Sequence, residues 1–186
     1  MLSTSSLAAR LGVNLAFRRN HIRDAAELGY GRVVEQARRP EFFTVLGVPD
    51  TLDGRFELIC LHAFLYLRRL KMEGRSGAAL GQQFFDTMFA DFDRSLREIG
   101  TGDLSVGRQV TRMAEAFYGR ARAYEGGLLG DDEELCAALA RNLYGTAGAT
   151  PEQLNRVAAY LRREVVSLAE QPNAALTAGS VAFGAP

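Results

Sequence analysis

The chain has 186 residues, 47% of them apolar, which is the length of one domain with enough apolar side chains for an ordinary core. Its 22 basic and 22 acidic residues cancel, so the molecule as a whole exerts no long-range pull on a duplex, and nucleic acid is not an expected partner. Two cysteines, Cys60 and Cys136, lie far apart in apolar patterns without CxxC spacing, which argues against a disulfide framework and against a zinc site.

Residues 1–23 carry Arg10, Arg18, Arg19 and Arg23 and no acid, among spaced leucines and frequent serine. They read as a basic, flexible arm. Three origins fit: a mitochondrial targeting peptide, a segment touching an anionic membrane surface, or a frayed bacterial N-terminus. A secretory signal is not expected, because no continuous apolar stretch follows the first residues.

A first helix is expected over 24–38, ended by Pro40, since the residue before proline avoids the helical region. Gly47 and Pro49 punctuate a connector, and Thr51 or Asp53 can cap the next helix. That second helix, about 54–71, repeats Phe56, Ile59, Ala63, Leu67 and Leu70 at helical spacing. Leu58, Leu61 and Leu65 make its opposite side apolar too, so it should be central or lend a face to a partner. Its run "LICLHAFLYL" is half of the ~20 residues needed to span a bilayer. A third helix is expected from Ser76 to Ile99, closed by Gly100 in the left-handed region. A fourth runs from Asp103 or Ser105 to about Tyr124. A fifth opens on "DDEE", with acids at the positive end of its dipole, and closes at Gly145. "TPEQ" at 150–153 is a capping box with proline at the first helical position, and opens a sixth helix to about Ala169. The expectation is an all-α protein: a single compact domain of about six helices over 24–172, an irregular tail over 173–186, and two flexible ends that add little to folding.

The segment "FFDTMFADFD", 84–93, invites a metal reading. Metal-binding aspartate boxes need carboxylates at i and i+3 or i+4. Asp86 and Asp91 are five apart, and Asp86 and Asp93 are two turns, about 10 Å, apart. Asp93 also has Arg97 one turn on, in the favourable acid-first order. Asp86, Asp93 and Arg97 therefore read as structural polar groups, and no metal ligands, cofactor-binding residues or catalytic residues are expected. His62, alone in an apolar helix, reads as a satisfied core residue, and "GTGD" reads as a turn rather than a phosphate loop.

Two stretches taken in order are more specific. "LGVPDTLDGRFELICLHAFLYLRRL" and "QFFDTMFADFDRSLREIGTGDLSVGRQVTRMAEAFYGR", preceded by "QARRPEFF", resemble the ubiquinol–cytochrome c chaperone family over roughly 30–124. The resemblance implies a helical, non-catalytic assembly factor that binds newly made cytochrome b during construction of the cytochrome bc1 complex. It implies a place in the bacterial cytoplasm against the inner membrane, or alternatively the matrix side of the mitochondrial inner membrane. No feature of the sequence points to the small partner protein of the mitochondrial system. A helical scaffold for another protein partner and, further off, an isoprenoid-synthase-like enzyme are the rival readings.

An apolar client helix outside lipid needs an apolar groove. The second, third and fourth helices hold the supply: Phe56, Leu58, Leu61, Phe64, Leu65, Phe85, Met88, Phe89, Met113 and Phe117 are expected to provide its lining. Phe64, Leu65, Met88 and Phe89 are the positions for single aspartate substitutions, of which at least one should spare the fold and abolish capture.

Overall fold

The computed structural model describes the backbone of residues 4–186 and the side chains of residues 19–186 other than Leu104. Helix α1 spans Thr4–Ala37. It begins well before the expected Asp24, because alanine, leucine and arginine, all strong helix formers, recur through the preceding residues. The side chains of residues 1–18, and with them the targeting and lipid-contact readings of the arm, lie outside the described residues.

Pro40 opens the single turn α2, Glu41–Thr44, whose Phe42 is fully buried. Thr51 caps α3, Leu52–Leu70, by accepting from the Gly54 amide at 3.1 Å. A 3-10 turn, Lys71–Glu73, leads straight into α4, Gly74–Glu98. The corner is tight: a Cβ on Gly77 would run into the Leu70 carbonyl, so only glycine lets the two helices meet there. Gly100, at φ +90°, closes α4 in the expected left-handed conformation.

Helix α5, Asp103–Leu129, runs one turn past the expected Tyr124, through Gly126 and Gly127. Asp131 caps α6, Asp132–Leu139, which ends in a π-helical turn over Ala140–Tyr144. The capping box at Thr150 and Gln153 forms as expected at the start of α7, Pro151–Glu170. A last turn, α8, covers Asn173–Thr177. The protein is all-α: six helices of eight residues or more and two single turns, with no strand among the described residues.

Helix α3 is central. It touches α1, α4, α5, α7 and the π-helical turn, and every residue from Cys60 to Tyr66 is buried. That is the packing its all-round apolarity calls for. The pairs Phe56–Phe92 and Tyr66–Phe84, with ring centroids 5.2 Å apart in each, run α4 antiparallel to α3. Phe85 and Phe117, 5.8 Å apart, bring α5 back antiparallel to α4.

The C-terminal tail departs from the expectation. It is irregular after Thr177 but docked. Leu176 and Val181 are buried, and the Tyr66 hydroxyl donates to the Leu176 carbonyl at 2.7 Å. Gln36 donates to the Gly184 carbonyl at 2.7 Å, and the Gly184 amide donates to Glu164 at 2.9 Å. Phe183 lies edge-on to His62 at 5.2 Å. A non-periodic segment hides its apolar residues from a helical reading, yet three of them reach the core.

His62 is fully buried and satisfied. Its Nδ1 lies 2.7 Å from the Leu58 carbonyl, which can only accept, so Nδ1 carries the proton. Nε2 then accepts from the Tyr160 hydroxyl at 2.9 Å, and Tyr160 accepts from Gln36 at 2.8 Å. Burial pushes the imidazole down to about 4, against the smaller opposing effect of the Leu58 carbonyl.

Candidate functional site

Along one side of α3, α4 and α5 the three helices do not close. They leave an open groove of about 1070 Å³. Phe64, Phe85 and Phe117 form its floor at one end, and Leu67 and Leu70 continue the floor toward the α3–α4 corner. The trough exists because facing positions are small: Ala78 and Gly81 on α4, and Ala121 and Gly126 on α5. A Cβ on Gly126 would meet nothing within 4 Å. Glycine inside a helix costs about 1 kcal/mol relative to alanine, so an open site for one needs a reason, and keeping the groove clear is such a reason.

Aromatic rings rigidify the wall. Phe85 stacks on Tyr118 at 5.4 Å and packs on Phe89 at 4.5 Å, and Tyr118 is 58% exposed at the rim. Met72, 71% exposed, forms the rim at the corner.

A second concavity, of about 800 Å³, opens where α1, α3, α4, α5 and the π-helical turn meet. Phe56, Phe92 and Met113 give it an apolar wall. At its base Arg120 makes a two-pronged pair with Glu57 and lies over the Phe56 ring at 5.5 Å. Burial raises the Glu57 carboxyl, and the Arg120 guanidinium opposes that shift. The Tyr124 hydroxyl is buried close by without a protein partner.

The ten residues expected to line a groove divide three ways. Phe64, Phe85 and Phe117 line the open groove, though Phe64 and Phe117 show little more than an edge. Phe56 and Met113 line the second concavity. Leu58, Leu61, Leu65, Met88 and Phe89 line neither and are buried in the core. Phe64, Leu65, Met88 and Phe89, chosen as sites for aspartate substitution, are all buried, and a carboxylate at any of them would be taken out of water. Leu67, Leu70, Met72, Tyr118 and Ala121 belong to the groove although the sequence reading does not place them among its lining residues. The available signal was the run of small residues at 77, 78 and 81 facing 121 and 126.

The carboxylates of 84–93 go separate ways. Asp86 accepts from Gln82 at 2.8 Å rather than from an arginine. Asp91 accepts from the Tyr30 hydroxyl at 2.7 Å and pairs with Arg94. Asp93 pairs with Arg97 at 3.0 Å, and Arg97 also reaches Asp103, which ties the end of α4 to the start of α5. No group of three or more His, Cys, Asp or Glu side chains is placed to share an ion among the described residues. Nor is any helix among them long and apolar enough to cross a membrane.

Fold and groove together define an all-helical domain with an open apolar trough, a class suited to holding another chain. The sequence profile of the ubiquinol-cytochrome C chaperone family matches residues 44–183, and the chain belongs to that family. It is 31% identical to ubiquinol-cytochrome-c reductase complex assembly factor 1 of Xenopus laevis, over 81% of this chain and 76% of that one. It is also 31% identical to the mouse factor of that name, over 77% of this chain. It spans about half the length of the mouse and human proteins, at 49% and 48%. The crystal structure of the Cbp3 homolog from Brucella abortus superposes with a TM-score of 0.80 at 35% identity, covering 93% of this chain and 97% of that one.

Proposed function

We propose that this protein is a non-catalytic assembly chaperone of the ubiquinol–cytochrome c reductase (bc1) complex, and that its client is newly made cytochrome b. The observation that carries the reading is the open apolar groove between α3, α4 and α5, which lies within the family-matched residues. The relatives are named for assembly of that complex. Cytochrome b is a membrane protein, and its helices are exposed to water until they are inserted.

Size sets what the groove can do. Its lining runs from Phe64 to Met72, eight steps of 1.5 Å or about 12 Å, along α3 and the turn that follows it. The groove therefore matches about two helical turns, against about 5.6 for a membrane-spanning segment of ~20 residues. It covers part of one client helix and leaves the rest to the membrane or to neighbouring client helices. Long aliphatic, aromatic and thioether side chains at its wall and rim tolerate varied apolar partners. The expected workplace is the cytoplasmic face of a bacterial inner membrane, as a peripheral protein.

Deletion in the native organism, followed by haem spectra of membranes, tests the function. Selective loss of the bc1 signature, restored by the wild-type chain, is expected; an intact bc1 complex in the deletion strain defeats the reading. Rescue by the groove-filling variant Gly126→Leu tests the site. Full rescue would mean that the client binds elsewhere.

A further inference from the structure

The groove is unevenly charged along its length. Of the side chains lining it, Arg68, Lys71 and Arg122 are cationic and only Glu125 is anionic, and Arg68 takes Glu125 at 2.8 Å. Lys71 and Arg122 are exposed and make no ion pair among the described residues. Arg75, exposed on the first turn of α4, adds a third such cation at the same corner. Glu73, which sits between them in the chain, is taken by Arg69. Asp86 beside Phe85 and Glu115 one turn before Tyr118 stand toward the groove's other end, and Glu170 is exposed on the end of α7 that Arg69 holds through the Leu168 carbonyl. A chain of zero formal charge thus gathers free cations at the α3–α4 corner.

At that corner Met72 is 71% exposed on the 3-10 turn. Beside it, Lys71 is the only lysine of the chain, its other basic residues all being arginine. A lysine stem lies along apolar surface while its compact charge reaches water. An exposed apolar side chain flanked by long cations is the chemistry of an interfacial lipid contact: the apolar group enters the headgroup boundary and the cations meet the phosphates.

We propose that the α3–α4 corner, with Lys71, Met72 and Arg75 and with Arg122 across the groove, seats the protein on an anionic membrane surface, so that the groove opens at the headgroups. The purpose of this seat, delivery of an apolar segment straight from groove to bilayer, rests on the groove reading above. Its chemistry does not. The charges are few and exposed, Lys71 on the 3-10 turn, Arg75 on the first turn of α4 and Arg122 on α5, which suits a soft, laterally mobile headgroup layer better than burial against a folded acidic partner.

The test uses the full chain without client. It is sedimented with vesicles of phosphatidylcholine alone and of phosphatidylcholine mixed with phosphatidylglycerol, at low and high salt. Binding to the mixed vesicles only, weakened by salt, is expected. Lys71→Gln and Arg75→Gln should each weaken it about fivefold. Met72→Ser should weaken it at either salt concentration, and no variant should change the melting temperature. Arg156→Gln, an exposed arginine on α7, serves as the control and should leave binding intact.

The proposal is overturned by equal binding of wild type and the Lys71→Gln/Arg75→Gln double variant, or by an equal loss in the Arg156→Gln control. Loss of binding on removing Arg10 and Arg18 alone would assign the contact to the arm instead. Lys71-dependent binding of a soluble polyglutamate peptide, with none to vesicles, would assign the corner to an acidic protein and also overturn it. Capture of an apolar helical peptide, measured on the same variants, separates the two ideas. Vesicle binding without peptide capture defeats the groove reading alone. Peptide capture without vesicle binding defeats the membrane seat alone.

Discussion

The docked tail is the sharpest point at which stability can be measured against the structure. Leu176 is fully buried, on a single helical turn that follows Pro172. Replacing it with alanine removes three carbons from the core and leaves a cavity that a tightly packed interior fills only partly, at a cost of about 2–5 kcal/mol. At about 2–4 °C per kcal/mol for a chain of this size, a central value of ~3 kcal/mol lowers the melting temperature by about 9 °C. Ser180→Ala, at an exposed position three residues beyond α8, should change it by no more than about 1 °C.

The hydrogen bond from Tyr66 to the Leu176 carbonyl supplies a second, independent reading. Tyr66→Phe removes one of two donors to that carbonyl, the Gly179 amide at 3.1 Å being the other, and should cost about 0.5–1.5 kcal/mol in the full chain. In a chain ending at Pro172 that carbonyl is gone, so the same substitution should cost almost nothing. The pair would then show a coupling of about 0.5–1.5 kcal/mol in a double-mutant cycle read by urea unfolding. A melting shift below ~2 °C for Leu176→Ala, together with additive Tyr66→Phe and truncation effects, would mean that the tail is not docked.

Three further outcomes follow from named groups. His62 is held neutral, with its ring pushed down from 6.5 to about 4, so the unfolded chain binds its proton first. Its contribution is therefore complete above pH 6.5 and is lost as the pH falls toward 4, by ~3 kcal/mol in all; long-range nitrogen–proton spectra should show the Nδ1-protonated tautomer persisting at pH 5, and a doubly protonated ring there would refute the assignment. Arg120→Ala strands the Glu57 carboxylate and should cost about 3 kcal/mol; adding Glu57→Leu should recover part of that loss, and a double variant no better than the single would show that packing rather than charge is at stake. Gly126→Leu should keep or raise the melting temperature, because the new side chain has open space and a better helix propensity by up to about 1 kcal/mol. It should nevertheless block capture of an apolar helical peptide, and unimpaired capture would remove the groove from consideration.

The features read correctly from sequence are those with strong local physics. Helical periodicity places α3, α4 and α7, and local chemistry places the caps at Thr51 and Thr150 and the left-handed Gly100. The all-round apolarity of α3 announces its central position before any contact is known. Two things escaped. The extension of α1 to Thr4 has no acidic first turn to mark it. The tail carries its apolar residues as Leu176, Val181 and Phe183, at intervals that match neither helix nor strand, and its anchors are main-chain carbonyls that any residue type supplies.

The groove escaped for a different reason. A search for binding residues by size selects the largest apolar side chains, and large side chains on a three-helix face are the ones packing consumes first. Leu58, Leu61, Leu65, Met88 and Phe89 went into the core for that reason. What keeps a trough open is the absence of side chain at facing positions, and here Ala78 and Gly81 on α4 stand across from Ala121 and Gly126 on α5. The two kinds of residue should respond oppositely to substitution. Truncating the large ones damages the fold, whereas enlarging the small ones leaves it intact and removes the space. On the proposed reading, the second kind of variant separates binding from folding, and Ala78, Gly81, Ala121 and Gly126 are where to make it.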